Sequence, residues 1–103
     1  KDYIEDCELG LDFIDNIHPR KFLMRNDVYT NQRRYGFIAQ ELADAMEKTN
    51  ASDFGGYQYD ANIDIHQIRY DDFFAPIIKS IQELSAMVKS LQDENTLLRK
   101  LKQ

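Results

Sequence analysis

The sequence of 103 residues contains a single cysteine, Cys7, and no long hydrophobic run. One thiol excludes an internal disulfide framework and a zinc site built from cysteines. No stretch approaches the ~20 apolar residues that a helix needs to cross a membrane, and no secretory signal opens the chain. We therefore expect a soluble protein of a reducing compartment, with the thiol of Cys7 buried.

Basic residues are fewer than acidic ones: the chain has 13 lysines and arginines and 18 aspartates and glutamates, and its net charge is −5. A surface of this sign repels nucleic acid and anionic membranes on average. The two histidines, His18 and His66, lie far apart, with no carboxylates at a spacing typical of a metal site. We expect no metal, cofactor, nucleic acid, membrane or small-molecule substrate.

The N-terminal part of the chain mixes short apolar patches with turn residues, which predicts an α+β head. A helical pattern over residues 9–17 ends at Pro19. Short strands are predicted at residues 20–24 and 33–37, with a turn or hairpin tip at residues 26–32 between them.

The rest of the head predicts a helix and a second hairpin. The helix begins at Phe37 or Ile38 and ends at Lys48. Alternating apolar residues at positions 57–70 predict two strands that turn around Asp60–Asn62. The predicted apolar face of the helix consists of Ile38, Leu42, Ala45 and Met46.

Residues 71–103 contain no glycine and one proline, and they predict a single long helix. Fully helical, this segment would measure ~50 Å at ~1.5 Å per residue, whereas a compact chain of this size has a radius of gyration of ~13 Å. Much of the helix must therefore project from the head. Asp71 and Asp72 are predicted to cap its N-terminus, and Pro76 lies near its start, where a missing N–H is tolerated.

Apolar residues recur along this helix at alternating spacings of four and three, which is typical of a coiled coil. With Ile81 at an a position, leucines fill the d positions, and Glu94 and Arg99 are placed for an ion pair between chains. Each buried Leu, Ile or Val side chain contributes ~1.5–3 kcal/mol, so self-association is favoured over a helix that folds back on its own head. Asn95 at an a position and β-branched a residues with leucine at d lean towards two strands, but three heptads are too few to decide the number of chains. The predicted interface residues are Ile77, Ile81, Leu84, Val88, Leu91, Asn95 and Leu98.

Two binding functions are excluded by composition. A basic leucine zipper needs a run of Lys and Arg directly before the heptads, where residues 71–79 read DDFFAPIIK. A phosphate-binding loop at Gly36 would need further glycines and a Lys-Ser/Thr pair. Gly36 is instead interpreted as a tight turn where no Cβ fits between a strand and a helix.

Three segments, LGLDFIDNIHPRKF, GFIAQEL and YDDFFAPIIKSIQEL, occur in this order over nearly the whole chain. Together they resemble the C-terminal intramolecular chaperone domain of phage tail fibres, tailspikes and neck appendages. Members of that family typically read Gly-Leu-Asp-Phe-Ile, then a proline before a strand, then Tyr-Gly-Phe-Ile-Ala-Gln-Glu and Ala-Pro-Leu-Ile-Lys-Ala-Ile-Gln-Glu-Leu. The family motif falls on Gly36, Phe37, Gln40 and Glu41.

The resemblance implies a mechanism. Family members trimerise through their C-terminal helices, guide three fibre chains into an interwoven β-rich trimer, and then cut themselves off. The nucleophile is a serine in a Ser-Asp-x-x-x-Lys motif, the lysine is the general base, and Lys-x-x-Ile follows. Lys1 and Ile4 match the end of that motif, which makes Lys1 the implied catalytic residue and places the serine five residues upstream of it. Some members carry a histidine before Tyr-Gly-Phe, where this chain has Arg34.

We therefore expect an α+β head at residues 1–70 and an oligomerisation helix at residues 71–103 that forms a trimeric coiled coil. The implied partners are two further copies and the upstream fibre segment of the same polypeptide, in the cytoplasm of an infected host cell. Without its serine, the chain alone is expected to be inactive as a peptidase. Two alternatives stay open: the same domain in a membrane-tethered transcription regulator released by self-cleavage, and a plain coiled-coil oligomerisation module.

Overall fold

The computed structural model describes residues 1–25 and 29–103. The first half of the head consists of helix α1 (Leu11–Asp15), strands β1 (Arg20–Phe22) and β2 (Arg34–Gly36), and helix α2 (Ala39–Lys48). The two strands form an antiparallel hairpin in which Lys21 lies opposite Tyr35. Residues 26–28 of the predicted hairpin tip lie outside the described residues.

The second half contains another antiparallel hairpin, made of β3 (Tyr57–Asp60) and β4 (Ile65–Ile68), and then a 3-10 turn (Tyr70–Phe73). Helix α3 (Phe74–Leu101) follows directly and ends the regular structure. The α+β class and the long C-terminal helix are confirmed. The hairpin turns at residues 61–64, slightly later than predicted.

Three phenylalanine rings form the centre of a small core. Phe54 meets Phe13 with ring centroids 5.0 Å apart and Phe73 with centroids 4.9 Å apart, both edge-to-face. This geometry is favoured because the positive edge of one ring meets the negative face of another. The α2 face is confirmed at Leu42, Ala45 and Met46, whereas Ile38 precedes the helix in an extended conformation and is exposed. The buried cluster comprises Phe13, Leu42, Met46, Ala51, Phe54 and Phe73.

Helix α1 is held on α3 by a carboxylate from that helix. The backbone N–H of Leu11 donates to Oε1 of Glu83 at 3.0 Å. The first N–H groups of any helix lack partners within it, and no side chain at the N-cap, Gly10, supplies one here. A Cβ built at Gly10 would overlap the Glu83 carboxylate. The absence of a side chain at Gly10 is therefore what lets α3 cap α1.

The start of α3 differs from the prediction. The N-cap is Phe73, which makes no side-chain cap, and Asp71 and Asp72 lie in the preceding 3-10 turn. The predicted capping role of the two aspartates is therefore wrong. The 3-10 turn places the ring of Phe73 in the core, where it is 3% exposed, and α3 begins at the next residue.

The distal part of α3 projects from the head, as predicted. The radius of gyration is 19.1 Å and the molecule measures 66 × 41 × 24 Å, well above the ~13 Å radius of a compact chain of this length. Ser80 is the last buried residue, with its hydroxyl donating to the carbonyl of Pro76 at 2.8 Å, and residues 84–103 are all exposed. None of the helices in the described ranges has both the length and the apolar character that a membrane span requires.

Gly36 has no side chain because Tyr70 occupies the space. A Cβ built there would overlap the Tyr70 hydroxyl and lie 3.0 Å from Cζ of the same ring. That hydroxyl accepts a hydrogen bond from the backbone N–H of Phe37 at 3.3 Å, and the rings of Phe37 and Tyr70 stack at 5.5 Å. A Cβ therefore has no room at Gly36, as expected, but Gly36 is the last residue of β2 and not part of a tight turn, and the space is filled by Tyr70.

Gly36→Ala is expected to lower the free energy of unfolding by ~1–3 kcal/mol, the usual cost of overpacking. The new methyl group forces the ring of Tyr70 away from Phe37, so the hydrogen bond and the ring contact are both lost. The change appears as a lower midpoint of denaturant unfolding at a fixed protein concentration. Gly55→Ala is the matched control, because its Cβ would meet no atom closer than 3.6 Å. Equal midpoints for the two variants would contradict the prediction.

Candidate oligomerisation site

The candidate site is the row of predicted interface residues on α3, here called the α3 stripe. It follows the a and d positions of three heptads, and its side chains are uncovered: Ile81 is 58% exposed and Leu91 is 63% exposed. The distal part forms an open, mainly apolar concavity of about 440 Å³. Contiguous apolar surface of this kind marks an interaction site on a soluble domain. The stripe comprises Ile77, Ile81, Leu84, Val88, Leu91, Asn95 and Leu98.

Further exposed apolar residues widen this surface and were missed by the sequence analysis. Met87 and Leu101 occupy g positions, and Ile78 occupies an e position beside Ile77; all three are more than half exposed. Strict a and d periodicity draws attention away from them. The heptad register could have identified them, because the g and e positions flank the a and d positions of the repeat.

The family motif forms the joint between the first hairpin, α2 and the 3-10 turn. The Phe37 ring lies 4.8 Å from that of Phe73, which attaches the start of α2 to the core. Glu41 accepts a bidentate pair from Arg20 of β1, with 2.9 Å between Nε and Oε1 and 2.5 Å between Nη2 and Oε2. Gln40 is exposed on the first turn of α2. Gly36, Phe37 and Glu41 thus have structural roles at this joint.

The Arg20–Glu41 pair shifts the pKa values of both side chains in the direction that favours their charged forms. The hydrogen bond from Arg20 lowers the pKa of the Glu41 carboxyl, and the same bond raises the pKa of the Arg20 guanidinium. Both groups are therefore charged over a wide pH range. The pair is solvent-exposed, so salt screens it, and its main consequence is the fixed orientation of β1 against α2.

The histidines and the cysteine do not form a chemical site. His66 shares a hydrogen bond of 2.8 Å with the Tyr57 hydroxyl on the second hairpin, and His18 is exposed. Cys7, predicted to be buried, is half-buried and donates from Sγ to the carbonyl of Leu9 at 3.5 Å. Within residues 1–25 and 29–103, no three His, Cys, Asp or Glu side chains gather where a metal ion could bind.

Lys1 lies away from regular structure, ten residues before α1. Its side chain is exposed, and no residue of the described part of the chain forms a hydrogen bond or ion pair with it. The fold does not assemble Lys1 with the α3 stripe or with the family motif into one site. Its implied catalytic role therefore stays a prediction.

The head contains the motif that resembles the phage chaperone domains. Residues 1–51 match the family model described as the chaperone of endosialidase. The chain belongs to this family. Searches of curated proteins and of solved structures each give no match. The match to the chaperone family includes Lys1, both strands of the first hairpin and α2, and it ends at Ala51. Helix α3 lies outside the matched region.

Proposed function

We propose that the chain is a homotrimeric intramolecular chaperone, which gathers three copies of an upstream fibre, tailspike or appendage segment and aligns them for folding. The observation that carries the proposal is the exposed α3 stripe on a helix that projects beyond its own head. Membership of the chaperone of endosialidase family supports the chaperone role.

Three chains account for the width of the apolar surface better than two. A strict row of a and d residues makes the narrow seam of a two-stranded coiled coil, whereas core-facing helices of larger bundles also carry apolar residues at e or g. Met87, Leu101 and Ile78 supply that extra width. Asn95 at an a position would fix the register of the three helices.

Trimerisation at the C-terminus addresses a kinetic difficulty of interwoven β-structure. Pairing of strands from different chains is slow, and the unpaired edges are prone to aggregate. A helical bundle forms from local contacts, holds three upstream segments at high effective concentration and fixes their relative register. The bundle would therefore supply concentration and alignment, and the head, which contains the family match, would act on the upstream segment as well.

Self-cleavage would follow folding in the longer polypeptide, in the cytoplasm of the infected host cell. An upstream serine would act as the nucleophile and Lys1 as its general base, because a serine hydroxyl needs a neighbouring base to remove its proton. Loss of the chaperone leaves the fibre unable to return through its folding route, which gives it kinetic stability. The chain itself, without that serine, would be inactive.

The test has two parts, sedimentation of this chain and replacement of the domain in its parent polypeptide. The 12.1 kDa chain is expected to sediment with three times its own mass. Replacing it with an unrelated trimeric coiled coil is expected to leave the upstream segment aggregated. A monomer at high concentration would refute the oligomer, and full rescue by the unrelated coiled coil would reduce the domain to a plain oligomerisation module.

A further inference from the structure

The first six residues form an exposed segment, here called the N-terminal arm. Tyr3 and Ile4 are 97% and 85% exposed, far more than apolar side chains of a packed domain usually are. Asp2, Glu5 and Asp6 make the arm acidic against the single lysine at position 1. The arm thus combines two uncovered apolar side chains with net negative charge.

A groove of about 400 Å³ lies beside the first hairpin, and its lining is mostly apolar. Pro19, Phe37 and Tyr70 contribute to its walls, and Gly36 lies among them, with the Tyr70 ring in the place that a side chain there would take. Tyr35 is 77% exposed at its edge, directly opposite Lys21 across the hairpin. This surface is called the β1–β2 groove.

The hairpin that carries the groove is basic, although the whole chain is acidic. Lys21 lines the groove, and Arg25 and Arg33 lie on the connection between the two strands; all three are exposed. The groove therefore combines an apolar lining with the positive charge of Lys21, and the hairpin that carries it is basic. These are the complements of the two properties of the arm.

We propose that, in the trimer, the N-terminal arm of each chain docks into the β1–β2 groove of a neighbouring chain. Tyr3 and Ile4 fill the apolar groove, and Asp2 and Glu5 lie beside Lys21 and the basic hairpin. The proposal rests on the proposed trimer and adds a second, head-to-head contact to the α3 bundle. Charge complementarity of this kind favours one docking partner and one register over others.

The occupant is a second copy because a single chain leaves both surfaces uncovered and the arm is long enough to cross between heads. Six extended residues span ~20 Å at ~3.3 Å per residue, which is comparable with the 24 Å that the molecule measures along its shortest axis. An arm-into-groove contact joins two different surfaces of neighbouring chains and is therefore heterologous. Three such contacts close into a ring around a three-fold axis. Every arm and every groove is then used.

The test is a disulfide between the two surfaces in the full 103-residue chain, with Cys7→Ser to remove the native thiol. Tyr3→Cys and Tyr35→Cys are introduced together and oxidised mildly. Covalent dimers and trimers on a non-reducing gel are expected. Tyr3→Cys with Tyr59→Cys is the control pair, since Tyr59 is half-exposed on the second hairpin, and it is expected to stay at the monomer band.

A second arm of the test reverses the charges. In the cross-linking chain, Lys21→Glu with Arg33→Glu is expected to remove the covalent dimers and trimers, and adding Asp2→Lys with Glu5→Lys is expected to restore them. A cross-linking chain that stays at the monomer band, with or without consumption of its thiols, would overturn the proposal. Equal cross-linking of the control pair, or cross-linking that charge reversal does not change, would also overturn it. Sedimentation of each reduced variant reports trimerisation independently, so failure of the docking is distinguishable from failure of the proposed function.

Discussion

Leu84→Glu together with Leu91→Glu is expected to convert the proposed trimer into a monomer with a folded head. In a trimer the change removes two leucines from each of three chains, and each buried leucine contributes at least ~1.5 kcal/mol. The sum of about 9 kcal/mol corresponds to a loss of association on the order of a million-fold, at ~1.4 kcal/mol per tenfold. The carboxylates add a further cost, because a charge is disfavoured in an apolar interface.

The measurement is sedimentation equilibrium, with circular dichroism to follow the head. Both leucines are about half exposed or more and lie beyond the last buried residue of α3, so the core around Phe73 is untouched. The matched control is Ala86→Glu with Ser90→Glu, which places the same two charges on the outer face of the helix. This control is expected to remain trimeric. A trimer in the leucine variant would contradict the assignment of the α3 stripe as the interface.

The sequence predicted those features of the fold that depend on local periodicity. The spacing of Leu84, Leu91 and Leu98 requires only a regular helix, so both the length of α3 and its uncovered stripe could be read from it. The same holds for Leu42 and Met46 on α2. Such features need no knowledge of which distant residues meet.

Contacts between distant residues could not be predicted in this way. Glu83 caps Leu11 across 72 positions, and Arg20 pairs with Glu41 across 21; nothing in either local pattern specifies the partner. The wrong assignment of Asp71 and Asp72 as helix caps has the same origin. Aspartates before a helical pattern are good caps, but here they lie in the 3-10 turn that places Phe73 in the core, and α3 begins after that turn.

The family motif is a case in which resemblance and geometry explain different things. The resemblance identified Gly36, Phe37, Gln40 and Glu41 as a set and could not say what each residue does. The structure assigns three of them to the joint that holds the first hairpin on α2. These three residues of the motif are therefore explained by packing, and the catalytic role that the resemblance implies for Lys1 stays a prediction.

In the longer self-cleaving polypeptide proposed above, Lys1→Ala is expected to reduce cleavage by at least ~10²–10⁴-fold, the usual contribution of a general base. The upstream serine cannot attack until a base takes its proton. Lys1→Arg is expected to fail equally, because a guanidinium keeps its proton under all ordinary conditions.

The readout is the fraction of polypeptide cleaved over time on a denaturing gel, with sedimentation to establish that each variant still assembles. Lys48→Ala is the matched control, since Lys48 is exposed at the end of α2, away from the N-terminal arm, and it is expected to cleave at the natural rate. Retained trimerisation with lost cleavage would separate the chemistry of Lys1 from the assembly that α3 drives. Cleavage of the Lys1→Ala polypeptide at the natural rate would exclude a serine–lysine pair at this position.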